Sequence, residues 1–183
     1  RAACRDAPPG NWYRRRRHNA LAGTRFIAPR LAAAEVLRNA GIEFSPGEEA
    51  LRATRLSALF RSNLPLRHFP VDLLRSTPGW DDAFARSISD LECAGLRPED
   101  IEPGGSPQLE DVLTLWRALD HSAARCWTAG RIYLEAALRL ERHPESWTFP
   151  GSTLMFVTSA LTAAEARFFR AIPNLAAALV AAR

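Results

Sequence analysis

Thr153-Leu154-Met155-Phe156-Val157-Thr158-Ser159-Ala160-Leu161-Thr162-Ala163-Ala164-Glu165 is the passage that sets the fold class of this chain. Pro150-Gly151 breaks the chain just before it. The unbroken apolar run from Leu154 to Val157 predicts a strand buried on both faces. Thr158-Ser159 is a polar turn. Thr162 stands three residues before Glu165, the spacing of a capping box, so a helix is expected over 162–170. Strand, loop and helix in that order form the basic unit of an α/β fold, which keeps its chemistry in the loop at the strand's C-terminal end. In this chain that loop holds no Asp, Glu, Lys or Gly.

Downstream, Ile172-Pro173-Asn174 ends the helix and an Ala-rich segment, 175–182, follows. Its composition favours helix. Its position favours the return strand of a parallel βαβ unit, and strand is the reading adopted. Upstream, Thr24-Arg25-Phe26-Ile27-Ala28 reads as a short strand. Pro29 then opens a helix with Leu31, Ala34, Val36 and Leu37 inward and Gly41 as its stop.

A helical block is expected between these two ends. Ser45-Pro46-Gly47-Glu48 reads as a capping box for a helix to about Ser62, with Leu51, Leu56, Leu59 and Phe60 inward and Arg52, Arg55 and Arg61 toward water. Pro70 opens a short helix over 71–76. Thr77 caps the next, in which Trp80, Phe84, Ile88 and Leu91 form one stripe and Gly95 is the stop. Asp81 and Asp82 suit the positive end of that helix better than a metal. Residues 97–101 form a tight turn. Gly104-Gly105 lies in a plain loop, without the Lys of a phosphate cradle. Ser106 and Pro107 start a helix to about Trp127, its stripe Leu109, Val112, Trp116, Leu119 and Ala123. A last helix spans 128–142 with Ile132, Tyr133, Ala136, Ala137 and Leu140 inward.

Composition removes several chemistries. The chain has 183 residues and a net charge of +4, and all 24 of its basic residues are Arg. Without Lys there is no Walker A loop, no Schiff-base lysine and no nuclease centre of the Asp…Glu-x-Lys type. Arg- and Ala-favouring codons are the plain cause. Cys4, Cys93 and Cys126 make no C-x-x-C, so neither a zinc site nor a disulfide framework is expected, and a reducing cytoplasm is the default. No apolar run reaches the ~18 residues of a membrane span. Asp120-His121-Ser122 are consecutive and diverge on a helix by about 100° each, so they cannot act as a triad. His121 and Cys126 share no face.

Residues 1–22 read as a disordered basic arm. Within it, Trp12 and Tyr13 adjoin Arg14, Arg15, Arg16 and Arg17. That pairing of aromatics and cations could hold phosphates and stack on a base, or be only a solvated arm.

The order of strand, Pro-started helix, helical block, strand, loop, Thr-x-x-Glu helix and strand resembles the first motor-like domain of UvrD-like superfamily 1 helicases, with its inserted helical subdomain. The phrasing of Gly23-Thr24-Arg25-Phe26-Ile27-Ala28-Pro29-Arg30-Leu31-Ala32, of Pro78-Gly79-Trp80-Asp81-Asp82-Ala83-Phe84-Ala85-Arg86, of Gly95-Leu96-Arg97-Pro98-Glu99-Asp100, and of the chain from Phe156 through Pro173 is similar to the AddB-like subunit of bacterial helicase–nucleases, among the PD-(D/E)XK nuclease family proteins. The resemblance covers residues 23–183. It implies a helix-rich α/β fold: a partial RecA-like parallel sheet with a large inserted helical subdomain. Residues 23–44 would be the first βα unit, 45–145 the insert and 146–183 the βαβ return.

The resemblance also implies that Thr158 and Ser159 occupy a degenerate Walker B position, where an active motor carries carboxylates for Mg²⁺ and water. The Walker A loop would precede Gly23 and the nuclease centre would follow Arg183. The cysteines that hold an iron–sulfur cluster in some relatives have no counterpart here. The chain begins at Arg1 rather than Met and is read as an internal piece of a cytoplasmic ATP-dependent DNA repair and recombination protein. By itself it is expected to be non-catalytic, without metal or cofactor. DNA and a partner helicase–nuclease subunit are its expected partners, and no membrane. The rival reading is a free-standing helical DNA-binding or adaptor module, with a closed core and no exposed sheet edge. A small Ser or Cys hydrolase ranks last, since no nucleophile stands at usable spacing from a base.

Overall fold

The computed structural model describes residues 25–46, 49–62, 64–121, 126–157 and 160–180. Among them the chain forms α1 (Pro29–Asn39), β1 (Ser45–Pro46), α2 (Glu49–Phe60), α3 (Val71–Ser76), α4 (Trp80–Cys93) and α5 (Pro107–Asp120). Then come β2 (Cys126–Trp127), α6 (Ala129–Arg142), a 3-10 turn (Pro144–Ser146), β3 (Thr153–Val157), α7 (Ala163–Ala171) and β4 (Leu175–Val180). The fold is helix-rich, with two small parallel sheets, β1–β2 and β3–β4.

The passage at 153–165 folds as its spacing requires. Thr162 Oγ1 accepts from the Glu165 backbone N–H at 3.2 Å, and Glu165 Oε2 accepts from the Thr162 N–H at 2.9 Å. The reciprocal pair satisfies two of the orphan donors at the start of α7. Pro173 ends that helix, and the Ala-rich segment after it is strand. β4 runs parallel to β3, from Thr153 opposite Leu175 to Val157 opposite Val180. The register shifts after the first pair, leaving Ala176 as an extra residue in β4. Pairing with β3 outweighs the helix propensity of the alanines, because propensity is worth only tenths of a kcal/mol per residue.

Burial on both faces of β3 is not found. Met155 is 6% exposed and joins the core, but Leu154 is 63% exposed. Successive residues of a strand point to opposite faces, and at Leu154 no described element covers the outer one. The strand expected at 24–28 is also absent over the described residues 25–28. Arg25 instead pairs with Glu35 of α1 at 3.0 Å and lies 5.2 Å from the centre of the Phe149 ring.

Other starts and stops follow local chemistry, with exceptions. Pro29 and Pro107 open α1 and α5, Ser106 caps α5, and Thr128 caps α6. Gly41 and Gly95 take φ of 72° and 81°. That left-handed geometry lets the next amide bond back into the helix, Ile42 N–H to Leu37 O and Leu96 N–H to Leu91 O. Ser45 pairs in β1 with Cys126, and Gly47 and Glu48 of the capping box expected there lie outside the described residues. Thr77 ends α3, and Gly79 precedes α4. α5 stops at Asp120, short of the expected Trp127, which lies in β2. Leu31 and Leu51, read as inward, are exposed.

Buried apolar side chains sort into two clusters. One gathers α1, Trp127, α6, Trp147, Met155, α7 and Ile172. The other gathers α2 to α5, with Leu56, Phe84, Ile88 and Trp116 at its centre. The buried apolar side chains of α6 thus join the cluster of α1 and α7, while its first turn crosses α4 of the helical block, within which the sequence reading placed the whole helix. The parallel pairing of Ser45 with Cys126 and Pro46 with Trp127 sets the two ends of the block, α2–α5, side by side.

Candidate functional site

Three charged residues lie on apolar stripes. Arg52 falls in register with Leu56 and Phe60, Glu92 with Phe84 and Ile88, and Asp111 with Leu115 and Leu119, each at steps of four. A helix face that is buried takes every residue on it inside, charged or not. The sequence reading sent Arg52 toward water; it is 2% exposed, and Glu92 is 1% exposed. Neither charge could be buried unpaired, and the stripes bring them together. Arg52 Nη1 donates to Glu92 Oε2 at 2.6 Å and Nη2 to Oε1 at 3.2 Å.

Two further donors complete the Glu92 carboxylate. Trp116 Nε1 of α5 donates to Oε1 at 3.2 Å, and the Thr128 hydroxyl, which caps α6, donates to Oε2 at 2.5 Å. Four donors fill the roughly four lone-pair sites of a carboxylate. Glu92 therefore holds α2, α4, α5 and the start of α6 to one point and keeps no lone pair for a substrate or metal. The approach of α4 to α6 is as close as backbones allow. A Cβ built on Gly130 would stand 2.8 Å from the Cys93 nitrogen and 2.9 Å from the Glu92 carbonyl carbon. Only glycine fits at that crossing.

Arg131 follows in α6. Its Nη2 pairs with Glu135 at 3.1 Å and with Asp120, at the end of α5, at 3.6 Å. The guanidinium lies 5.9 Å from the centre of the Trp127 ring. Its Nε and Nη1 are buried with no hydrogen-bond partner. Burial pushes the Asp120 carboxyl above its ordinary range, against the downward pull of Arg131. Asp111 does a different job. It is 1% exposed and accepts from the backbone N–H groups of Arg67, His68 and Phe69 at 2.7, 2.8 and 2.8 Å, fastening the loop before α3.

Trp12, Tyr13, Arg14, Arg15, Arg16 and Arg17 fall outside the described residues, as do Thr158, Ser159 and Ser122. Asp120 turns to Arg131, whereas His121 Nδ1 lies 2.6 Å from the Arg117 carbonyl on the surface, so these neighbours diverge as their spacing demands. Asp81 sits in the first turn of α4 and accepts from the Ser57 hydroxyl. That bond holds its carboxyl below the usual range. Among the described residues no group of three or more His, Cys, Asp or Glu is placed to hold a metal ion. No described helix is long and apolar enough to cross a membrane. One shallow depression, about 450 Å³, opens between Gly95, Ala163, Arg167 and Arg170. Its Arg167 is committed to Glu141 by two bonds of 2.8 Å.

No protein-family profile, curated protein or solved structure matches this chain.

Proposed function

We propose that this chain is part of an AddB-like helicase–nuclease subunit, a non-catalytic frame in double-strand break repair and recombination. In this reading β3, α7 and β4 belong to a RecA-like parallel sheet, and α2 to α5 are its inserted helical subdomain. The observation that carries it is the parallel pairing of β1 with β2, which holds the two ends of the helical block side by side. A block inserted into a host domain must leave and return at neighbouring points. The outward Leu154 supports it as well, since a strand from a wider, covered sheet exposes apolar side chains when its neighbours are missing. The Thr158-Ser159 loop in place of carboxylates suits a motor position that no longer turns over ATP.

In this role the chain meets DNA through Trp12, Tyr13 and Arg14–Arg17 and packs against a partner helicase–nuclease subunit in the cytoplasm. The test is fluorescence anisotropy of the full chain with a labelled duplex bearing a single-stranded overhang, at several salt concentrations, beside an ATPase assay. The expected result is salt-dependent binding that falls when Arg14, Arg15, Arg16 and Arg17 are all changed to Ala, with no ATP turnover. ATP turnover that copurifies with the chain through successive columns would overturn the reading. So would a start codon directly before Arg1 and a stop codon directly after Arg183 in the genomic DNA, which would favour the free-standing module.

A further inference from the structure

We draw no further inference here: the strongest candidate, the outward apolar face of β3 at Leu154, is open among the described residues, and nothing in the structure shows what covers it.

Discussion

The guanidinium of Arg52 and the carboxylate of Glu92, forty positions apart in the chain, meet through two hydrogen bonds inside the helical block. Removing one partner leaves the other charged, buried and alone, which costs about 3–5 kcal/mol. Glu92→Gln and Arg52→Met are each expected to lower stability by that order in urea denaturation. The double variant R52M/E92Q is expected to lose less than the sum, since no lone charge remains. Additive losses would show that the pair is not coupled.

Gly130 sets how closely α6 crosses α4. The backbone atoms that a Cβ would meet cannot rotate away as a side chain could. Gly130→Ala gains helix propensity but must push the helices apart, and it is expected to cost a net of about 1–3 kcal/mol. A melting temperature equal to or above wild type would show that the crossing yields freely.

Asp111 fastens residues 67–69 with three backbone hydrogen bonds to one buried carboxylate. Asp111→Ala orphans three donors at once, and each buried orphan costs about 1–3 kcal/mol unless it reaches water. The loop is exposed enough to rehydrate at Arg67 and His68. The expected signature is therefore local: fast amide exchange at 67–69 with slower change in α4. Unaltered exchange at those three amides would refute the clamp.

Tyr133 is pushed up to about 12 by burial, with Glu165 adding to the rise and Arg30 opposing it. Its folded-state value lies above the ordinary one near 10. Unfolding therefore releases a proton at alkaline pH. The contribution to stability is complete below about pH 10 and is lost as pH rises from there through the folded value. Absorbance titration at alkaline pH should show a late tyrosinate step that disappears in Tyr133→Phe, and that variant should lose less stability than wild type over the same range. A Tyr133 step at the ordinary position would overturn this.

Leu154 faces outward from β3. Leu154→Thr keeps a strand-favouring residue and removes exposed apolar surface, so stability should stay within about 0.5 kcal/mol of wild type. Solubility of the isolated chain should rise. A loss of about 2 kcal/mol or more in urea denaturation would mean that this face is covered.

The α7 capping box, the Pro29, Pro107 and Thr128 starts and the Gly41 and Gly95 stops were all legible, because each involves groups within about four residues of one another. The strand at 175–180 was legible for a different reason. The break at Pro173-Asn174 and the preceding helix left a parallel return as the economical connection. Thr77 shows the limit of local chemistry: it is a good capping residue, and it ends α3 instead of starting α4. Arg52 was misplaced by residue type and Glu92 was passed over, although their period of four with Leu56 and Ile88 already set them on buried faces.

The sequence by itself determined which segments are helix or strand in the main, that β3, α7 and β4 form one parallel unit, and that Lys-dependent chemistry is absent. Only the tertiary structure decided that β1 meets β2, that the apolar face of α6 joins α1 and α7, and that Glu92 gathers donors from three other segments. Local hydrogen bonds and side-chain period act over a few residues and are written in the order of the chain. The partner of a buried charge is chosen by which faces pack together across forty residues, and no local spacing carries that choice.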